Sequence, residues 1–324
     1  MKTIRWGMIG CGEVTEMKSG PGFYRSDRSV LLGVTNRTLD KAYSYARRHG
    51  VPRVYPDVSD MLADPEIDAV YIAVPPVVHR ALTLRAAAAG KHVYVEKPMA
   101  MNHVECQEMM AACAHSGVRL YVAFYRRAMP RFVQVKEWID ENALGAVCSV
   151  SVLHLQKPAP QELSPDTLPW RVRGEISGGG KFVDMGAHVL DTLIWWFGPI
   201  TEAHGVAGNR RGLYAVEDTV TACWRHTGGV SGAGSWCYAG DGEADRIIIA
   251  GTRGRIEFPF FSDAPLRIHR EGGTEEVHIP NPAHAQQPLI QSVVDELCGL
   301  RASPCDVHAA ALVSAVMDAI LAGA

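Results

Sequence analysis

The sequence predicts an α/β plus α+β fold in two domains: an N-terminal doubly wound domain around a parallel sheet, and a C-terminal α/β domain with a large, open, mostly antiparallel sheet. At 324 residues the chain exceeds the size at which one hydrophobic core usually stops growing. Short apolar runs alternate with amphipathic stretches as far as about Tyr121, which is typical of strand–helix–strand units. After Pro130 longer stretches alternate apolar and polar residues, which predicts antiparallel strands with one exposed face.

Strand and helix candidates alternate in the N-terminal half. Each helix candidate ends near a glycine, Gly50, Gly90 or Gly117, that can take the left-handed cap conformation. Because parallel strands need a crossover between them, this order predicts helices on both faces of one sheet. The predicted strands are Ile4–Ile9, Val30–Thr35, Ala69–Val74, His92–Val95 and Arg119–Val122, and the predicted helices are Thr38–His49, Val77–Ala89 and Asn102–His115.

The C-terminal half begins with a predicted helix, Arg131–Glu141, and then consists mainly of strands. A last alanine-rich helix, Asp306–Leu321, is expected to pack back on the first domain. We place the boundary so that the domains are residues 1–123 and 124–324. The predicted strands are Ala146–Leu155, Asp218–Trp224, Val230–Tyr238, Arg246–Ala250 and Arg255–Phe258.

Composition and charge argue against several classes of protein. The chain is 47% hydrophobic and 21% charged, which suits a packed globular protein. Its net charge is −3 without a long basic run, so no nucleic-acid partner is expected. No apolar run has the length of a membrane span, and the N-terminus lacks the pattern of a secretion signal. The 8 cysteines are scattered without zinc-site spacing and are expected to be reduced thiols, so we expect a cytoplasmic location.

A glycine-rich turn follows the first predicted strand. Gly10-Cys11-Gly12-Glu13-Val14 lies where backbone amides at a helix start can reach a pyrophosphate. The strand and helix on either side favour a dinucleotide site over an ordinary glycine turn. Thr15 replaces the usual third small residue, which predicts slightly looser packing of helix against strand.

The end of the second predicted strand bears on the choice of cofactor. NAD-specific sites usually place an acidic residue there to hold the ribose 2′-hydroxyl, but this chain has Asn36 and Arg37. Arg37 can pair with a 2′-phosphate, Asn36 can donate to it, and Lys41 lies one turn further on. NADP is therefore favoured, with NAD as the alternative if Arg37 is only a solvated or adenine-stacking cation.

Four segments together resemble the motifs of the Gfo/Idh/MocA family of oxidoreductases. They cover both predicted domains, and the first 135 residues carry the closest match. The resemblance implies an N-terminal Rossmann domain and a C-terminal substrate-binding domain. The segments are Gly10-Cys11-Gly12, residues 71–79 (YIAVPPVVH), residues 89–98 (AGKHVYVEKP) and residues 179–191 (GGKFVDMGAHVLD).

The resemblance implies that Lys97 and His188 meet at the nicotinamide, with Asp184 beside them. Oxidation of a carbinol needs a base for the hydroxyl proton, and histidine titrates in the right range. The Lys97 ammonium suits stabilisation of the developing alkoxide, and Asp184 can orient a second hydroxyl or set the protonation of its neighbours. On a helix, Asp184, His188 and Asp191 would share one face. That face is also compatible with a metal site, or with a helix cap and a core histidine, but we expect no metal.

Further residues enter the expected site through the same resemblance. Val74, Pro75 and Pro76 resemble the stretch beneath the nicotinamide, whereas His79 is equally compatible with a helix start. Glu96 resembles the residue that holds the nicotinamide ribose, with pairing to Lys97 as the other interpretation, and Lys97-Pro98 is expected to be a cis peptide. The remaining positions resemble residues lining the cofactor and substrate cleft. These positions are Tyr125, Arg126, Trp170 and Arg171. The residues expected to contact the substrate are Lys97, Tyr125, Trp170, Asp184 and His188.

The resemblance implies an NAD(P)-dependent dehydrogenase or reductase that acts on a hydroxyl-bearing carbon of a sugar, polyol or related small molecule. Two alternatives stay open: a glycosidase or lyase reaction in which the cofactor is recycled, and a nicotinamide-sensing regulator without catalysis. The exposed antiparallel sheet predicts a homodimer or homotetramer formed through the C-terminal domain.

Overall fold

The computed structural model describes residues 2–323. The first residue of the predicted N-terminal domain and the last residue of the predicted C-terminal domain therefore lie outside the described residues. The chain forms two compact units. One comprises Met1–Met129 and Pro282–Ala311, and the other Pro130–Asn281 and Leu312–Ala324. Residues 124–129 and Pro282–Ala311, which we assigned from the sequence to the second domain, thus belong to the first unit.

The first unit contains a parallel sheet of six strands in the order β3-β2-β1-β4-β5-β6. The strand order reverses between β1 and β4, and in open α/β sheets ligands bind outside the carboxyl ends of the strands at such a point. The predicted doubly wound sheet is confirmed. The strands are β1 (Ile4–Ile9), β2 (Ser29–Thr35), β3 (Arg53–Val54), β4 (Ala69–Ile72), β5 (His92–Val95) and β6 (Leu120–Val122).

Six helices connect these strands. They are α1 (Glu13–Met17), α2 (Gly20–Arg25), α3 (Leu39–His49), α4 (Val58–Ala63), α5 (His79–Ala88) and α6 (His103–His115). The predicted α6 begins where Asn102 caps it, because the Asn102 carboxamide oxygen accepts the Glu105 amide at 3.0 Å. The stretch from Met17 to Asp27 contains α2, which was not predicted. Phe23 of α2 is fully buried and packs on Trp6 with 4.9 Å between ring centroids, so this segment is part of the core.

The second unit is built on an eight-stranded sheet in the order β14-β13-β12-β11-β7-β10-β9-β8. Among the strand pairs of this sheet within residues 2–323, only β7–β10 is parallel, so the predicted mostly antiparallel sheet is confirmed. The helices are α7 (Pro130–Asp140), α8 (Gly174–Ser177) and α9 (Lys181–Phe197). The strands are β7 (Val147–Leu155), β8 (Ile200–Gly208), β9 (Thr219–His226), β10 (Ser231–Cys237), β11 (Ala244–Gly251), β12 (Gly254–Phe258), β13 (Leu266–Arg270) and β14 (Gly273–Val277).

The two faces of this sheet differ in exposure. On β7, Val150 and Val152 are buried while Ser151 and Leu153 are exposed, so the alternation in the sequence marks an inner and an outer face. Strands β8, β13 and β14 were not predicted. β14 is exposed along most of its length, so it has no buried face to produce an alternating pattern.

Two helices complete the chain, α10 (Gln287–Leu297) and α11 (Val307–Leu321). α10 belongs to the first unit and was not predicted. The first turns of α11 also belong to that unit, where the Ala311 carbonyl oxygen lies 2.9 Å from the ring nitrogen Nδ1 of His103 on α6. No helix within residues 2–323 has both the length and the apolar character of a membrane span.

Candidate active site

The glycine-rich turn after β1 has the geometry that a dinucleotide pyrophosphate requires. Gly10 has φ +105°, and a Cβ there would lie 2.2 Å from the Ala73 carbonyl oxygen, so the turn needs glycine. A Cβ at Gly12 would meet no atom within 4 Å. Gly12 thus leaves open space in front of the first amides of α1, starting at Glu13 and Val14, where a phosphate can approach.

A cavity of about 400 Å³ lies beside this turn in the first unit. Burial raises the pKa of the Cys11 thiol to about 12, so this side chain stays neutral at the cavity wall. Thr15 is fully buried and donates its hydroxyl to the Gly12 carbonyl oxygen at 2.7 Å, so the polar group is satisfied where a small residue is usual. The wall is formed by Cys11, Gly12, Glu13, Glu16, Asp40, Lys41, Ser44 and Arg48.

The residues that bear on cofactor choice lie at the end of β2. The Asn36 side-chain oxygen accepts the Thr38 amide at 2.9 Å, which shapes the turn into α3. Arg37 and Lys41 are exposed, and neither has an ion-pair partner within residues 2–323. Arg48, in contrast, binds Glu16 with a 2.5 Å contact, and hydrogen bonds from Arg48 lower the pKa of Glu16 to about 2.

His79 links two segments of the first unit from inside the core. It is fully buried, with Nε2 2.7 Å from the Val74 carbonyl oxygen and Nδ1 3.0 Å from that of Pro98. Burial lowers the pKa of His79. These contacts hold the Val74-Pro75-Pro76 turn against the Lys97-Pro98 segment, whose peptide bond is cis as predicted. In its own unit His79 therefore has a structural function.

The Glu96 carboxylate is the centre of a buried hydrogen-bond network. Its Oε1 accepts the Tyr71 hydroxyl at 2.5 Å and the Gln286 amide at 2.7 Å. Its Oε2 accepts the Lys97 backbone N–H at 3.2 Å. The Tyr94 hydroxyl donates to the Gln286 side-chain oxygen at 3.0 Å and completes the network. The network fixes the backbone from which the Lys97 side chain extends.

Lys97 belongs to a group of cations around a buried phenol. Burial by itself would raise the pKa of Tyr125, but the charges of Arg126, Lys18 and Lys97 outweigh it and lower that pKa. The Arg126 guanidinium carbon is 5.2 Å from the centroid of the Tyr125 ring, and both residues are buried in the turn after β6. The first unit thus brings together Lys97, Tyr125 and Arg126, three of the residues expected at the site.

In the second unit, α9 carries the remaining expected catalytic side chains. The helix begins at Lys181, one turn earlier than Asp184, after Gly178 in the left-handed conformation. Asp184, His188 and Asp191 follow at helical spacing, and His188 is only 4% exposed. The predicted shared helix face is therefore present.

A loop of the second unit contacts this face. Arg171 lies in a short 3-10 turn, Trp170–Val172, and its Nε is 3.2 Å from Oδ2 of Asp184. The Arg171 guanidinium carbon is also 4.6 Å from the Trp170 ring centroid. Trp170, Arg171 and Asp184 are therefore brought together. Arg171, expected at the cofactor, is bound here to the carboxylate expected to orient the substrate.

Several polar residues of these clusters were not predicted. Gln286 reaches Glu96 across 190 positions of sequence, a separation that leaves no local pattern. Glu217 accepts the Gly180 amide at 2.7 Å just before α9, and burial raises its pKa. Lys181 and Glu162 form a buried ion pair at 2.7 Å. The three glycines before Lys181 were one hint that another part of the chain packs closely there. A side chain at Gly180 would not fit, because Glu217 lies too close.

Comparison with known proteins agrees with this fold. The family profile described as "Oxidoreductase family, NAD-binding Rossmann fold" matches residues 4–124, and the "GFO/IDH/MocA C-terminal domain" matches residues 132–257. The chain is 36% identical to "Oxidoreductase P35" of Formosa agariphila over 315 residues, which is 97% of each chain. It is 26% identical to trans-1,2-dihydrobenzene-1,2-diol dehydrogenase of Sus scrofa, over 86% of this chain and 81% of the relative.

A solved structure shares the fold over nearly the whole length. Levoglucosan dehydrogenase, in complex with NADH and levoglucosan, superimposes with a TM-score of 0.87 at 24% identity and covers 99% of this chain and 97% of its own. The resemblance of the four sequence motifs is thus confirmed in both halves of the chain. The chain belongs to the Gfo/Idh/MocA family, and it is an NAD(P)-dependent oxidoreductase.

Proposed function

We propose that the chain is an NADP-dependent dehydrogenase or reductase for a small polyhydroxylated substrate, with Lys97, His188 and Asp184 as its catalytic residues. The observation that carries the proposal is the polar face of α9. An imidazole that is 4% exposed lies between two carboxylates on a helix whose other side chains, apart from Lys181 and Thr192, are apolar. Buried polar groups cost free energy unless they are satisfied, so a face of this kind favours a function over simple packing.

His188 takes the hydroxyl proton in the oxidative direction and returns it to the oxygen in the reductive direction. Lys97 stabilises the negative charge that develops on the same oxygen. Asp184 binds a second hydroxyl of the substrate and orients it. The bound nicotinamide supplies the acceptor or donor of the hydride. The Glu96 network supports this scheme because it fixes the Lys97 backbone through a 3.2 Å hydrogen bond.

The setting of Arg37 supports NADP as the cofactor. Arg37 and Lys41 are exposed at the end of β2, and within the described chain no carboxylate pairs with either of them. A 2′-phosphate would therefore meet two available cations. The Asp40 carboxylate lines the same cavity and would repel a 2′-phosphate. The preference for NADP therefore requires that the attraction by Arg37 and Lys41 exceed the repulsion by this one carboxylate.

Replacing Arg37 with alanine is expected to weaken NADPH binding by about 10- to 100-fold, since a hydrogen bond to a charged group is worth about 1.5–3 kcal/mol. NADH binding is expected to change by less than about 3-fold, because NADH has no 2′-phosphate. Titration of both cofactors by fluorescence measures the two dissociation constants. Arg47→Ala, on the last turn of α3, is the matched control. Tighter binding of NADH than of NADPH by the unmodified chain would refute NADP specificity.

For the substrate we propose a vicinal diol, an anhydrosugar or a polyol. The relatives whose names state a substrate include a dihydrodiol dehydrogenase and a levoglucosan dehydrogenase, and both of these substrates carry neighbouring hydroxyl groups. A screen of polyols, aldoses, inositols and these two compounds, with absorbance of reduced cofactor as readout, tests the proposal. Glycoside cleavage without net change in NADPH would instead support the reaction with a recycled cofactor.

The outer face of the eight-stranded sheet supports a homo-oligomer. Leu153 on the central strand β7 is 39% exposed and Val206 on β8 is 70% exposed, among small side chains such as Ser151 and Ala233. A second copy of the chain would cover these apolar groups by closed symmetry.

Light scattering after size-exclusion chromatography is expected to give the mass of a dimer or tetramer. Leu153→Arg is expected to reduce that mass, because the substitution would bury a charge at the centre of the interface. Arg225→Ala, nearer the edge of the sheet, is the control. A monomeric unmodified chain would contradict the proposal.

A further inference from the structure

A buried ion pair lies at the beginning of α9 and has no part in the scheme above. Lys181 Nζ is 2.7 Å from Glu162 Oε2, and the two side chains are 9% and 4% exposed. The same carboxylate oxygen accepts the Ala159 amide at 3.0 Å. Glu162 is therefore fixed in a 3-10 turn, Pro160–Glu162, of the loop that follows β7.

Lys181 occupies the same helix face as the proposed catalytic residues. Asp184 and His188 follow it by three and seven residues, which places all three side chains along one side of α9. The Lys181 ammonium also lies 5.5 Å from the ring centroid of Tyr238. The charge of Asp184 acts on the same Tyr238, after burial the strongest factor raising the pKa of its phenol. The ion pair and Asp184 are thus neighbours around one buried ring.

The loop is attached to α9 at two points. Glu162 binds Lys181, and nine residues later Arg171 binds Asp184 at 3.2 Å. Between these points residues 163–170 contain only short 3-10 turns. Because the intervening chain is short, the position at which Glu162 binds limits where the Arg171 guanidinium can lie. The Arg171 guanidinium that binds Asp184 thus lies on a loop that the Lys181–Glu162 ion pair also attaches to α9.

A pair buried in this way is not needed to hold the loop on the helix. Desolvation of two charges offsets most of their attraction, and well-packed apolar side chains of similar volume often give equal or greater stability. What an ion pair does provide is a fixed geometry between two partners. The Lys181 side chain is thus better explained by the position it imposes than by the stability it adds.

We propose that Glu162 and Lys181 are positioning residues of the oxidoreductase reaction, which set the place of the loop on α9 and, through Arg171, the orientation of Asp184. The inference rests on the proposed function, because it takes Asp184 to act on the substrate. Neither residue is expected to contact substrate or cofactor.

Three variants separate positioning from stability. Lys181→Met is expected to lower both Tm and kcat, since it leaves a carboxylate buried without its partner. The double variant Lys181→Met with Glu162→Leu is expected to regain Tm while kcat/KM stays about 10- to 100-fold low, the loss that a misplacement of about 1 Å can cause. Glu162→Asp keeps the charge but shortens the side chain by one methylene, and it is expected to lower kcat with little change in Tm. Affinity for NADPH should stay unchanged in all three.

Hydrogen exchange of the loop gives a readout independent of turnover. Peptides covering residues 157–173 are expected to exchange faster in the double variant than in the unmodified chain. Full kcat/KM in both the double variant and Glu162→Asp would overturn the positioning role, as would unchanged exchange of the loop. Asp184→Asn, measured alongside, distinguishes failure of this inference from failure of the proposed function. If it is inactive while the ion-pair variants are fully active, only this inference fails, whereas full activity of Asp184→Asn would overturn the proposed function as well.

Discussion

The Lys97→Ala variant is expected to turn over substrate about 10²- to 10⁴-fold more slowly than the unmodified chain, with nearly unchanged affinity for NADPH. In the proposed mechanism the ammonium acts on the reacting oxygen, whereas the turn proposed to bind the pyrophosphate, at Gly10 and Gly12, follows a different strand of the sheet. Loss of this charge therefore removes stabilisation of the transition state and leaves cofactor binding intact. Stopped-flow measurement of the hydride-transfer step, together with a cofactor titration, checks both halves of this expectation.

Lys91 provides a matched control at the other end of the same strand. It immediately precedes β5, whereas Lys97 follows that strand, and its ammonium donates to the carbonyl oxygens of Asp64 and Ile67, both at 2.8 Å. Lys91→Ala leaves these carbonyl groups without their donor and is expected to cost about 1–3 kcal/mol of stability while kcat is kept. If Lys97→Ala behaves like Lys91→Ala, with reduced Tm and normal turnover, Lys97 has only a structural role.

Replacing His188 with alanine is expected to lower kcat/KM by about 10²- to 10⁴-fold and to remove one ionisation from its pH profile. In the proposed mechanism the imidazole transfers the hydroxyl proton, so its loss would leave water as the alternative base or acid. Added imidazole in the cavity left by the truncated side chain is expected to restore part of the activity. The rate of the variant as a function of pH, with and without imidazole, measures these effects.

His226 tests whether the loss arises from burial of a histidine rather than from its chemistry. It is 1% exposed in the same unit, and its Nδ1 lies 2.7 Å from the Gly198 carbonyl oxygen. Burial lowers the pKa of His226. His226→Ala is expected to reduce Tm without changing the pH profile. If the two histidine variants lose stability equally and keep turnover, His188 is a core residue and not the acid or base.

The fold could be predicted from the sequence where the local pattern of apolar residues indicates which side chains are buried. β1 and β5 were predicted to the residue because each is a short, mostly apolar run that ends at a clear change in the sequence, β1 at the glycine-rich turn and β5 at Glu96. α2 was missed because a Gly-Pro-Gly sequence is typical of a loop, and only the packing of Phe23 in the core makes this segment helical. β14 was missed for the opposite reason, since an exposed edge strand shows no apolar alternation.

The candidate site divides in the same way. Gly10 and Asp184 could be proposed from the sequence because each belongs to a motif within one short stretch of the chain. Gln286 and Glu217 were missed because each acts on a residue distant in the chain, Glu96 and Gly180, through a contact that only the folded chain creates. The roles assigned to individual site residues, the NADP preference, the oligomer and the cytoplasmic location stay predictions.

The most direct test of whether Lys97 and His188 act on one substrate oxygen is kcat/KM of the double variant Lys97→Ala with His188→Ala, measured beside both single variants. Groups that serve the same proton and charge transfer are strongly non-additive, so the double variant should be within about 10-fold of the slower single variant. A double variant whose loss equals the product of the two single losses would show that the residues act independently. That result would contradict a shared catalytic centre.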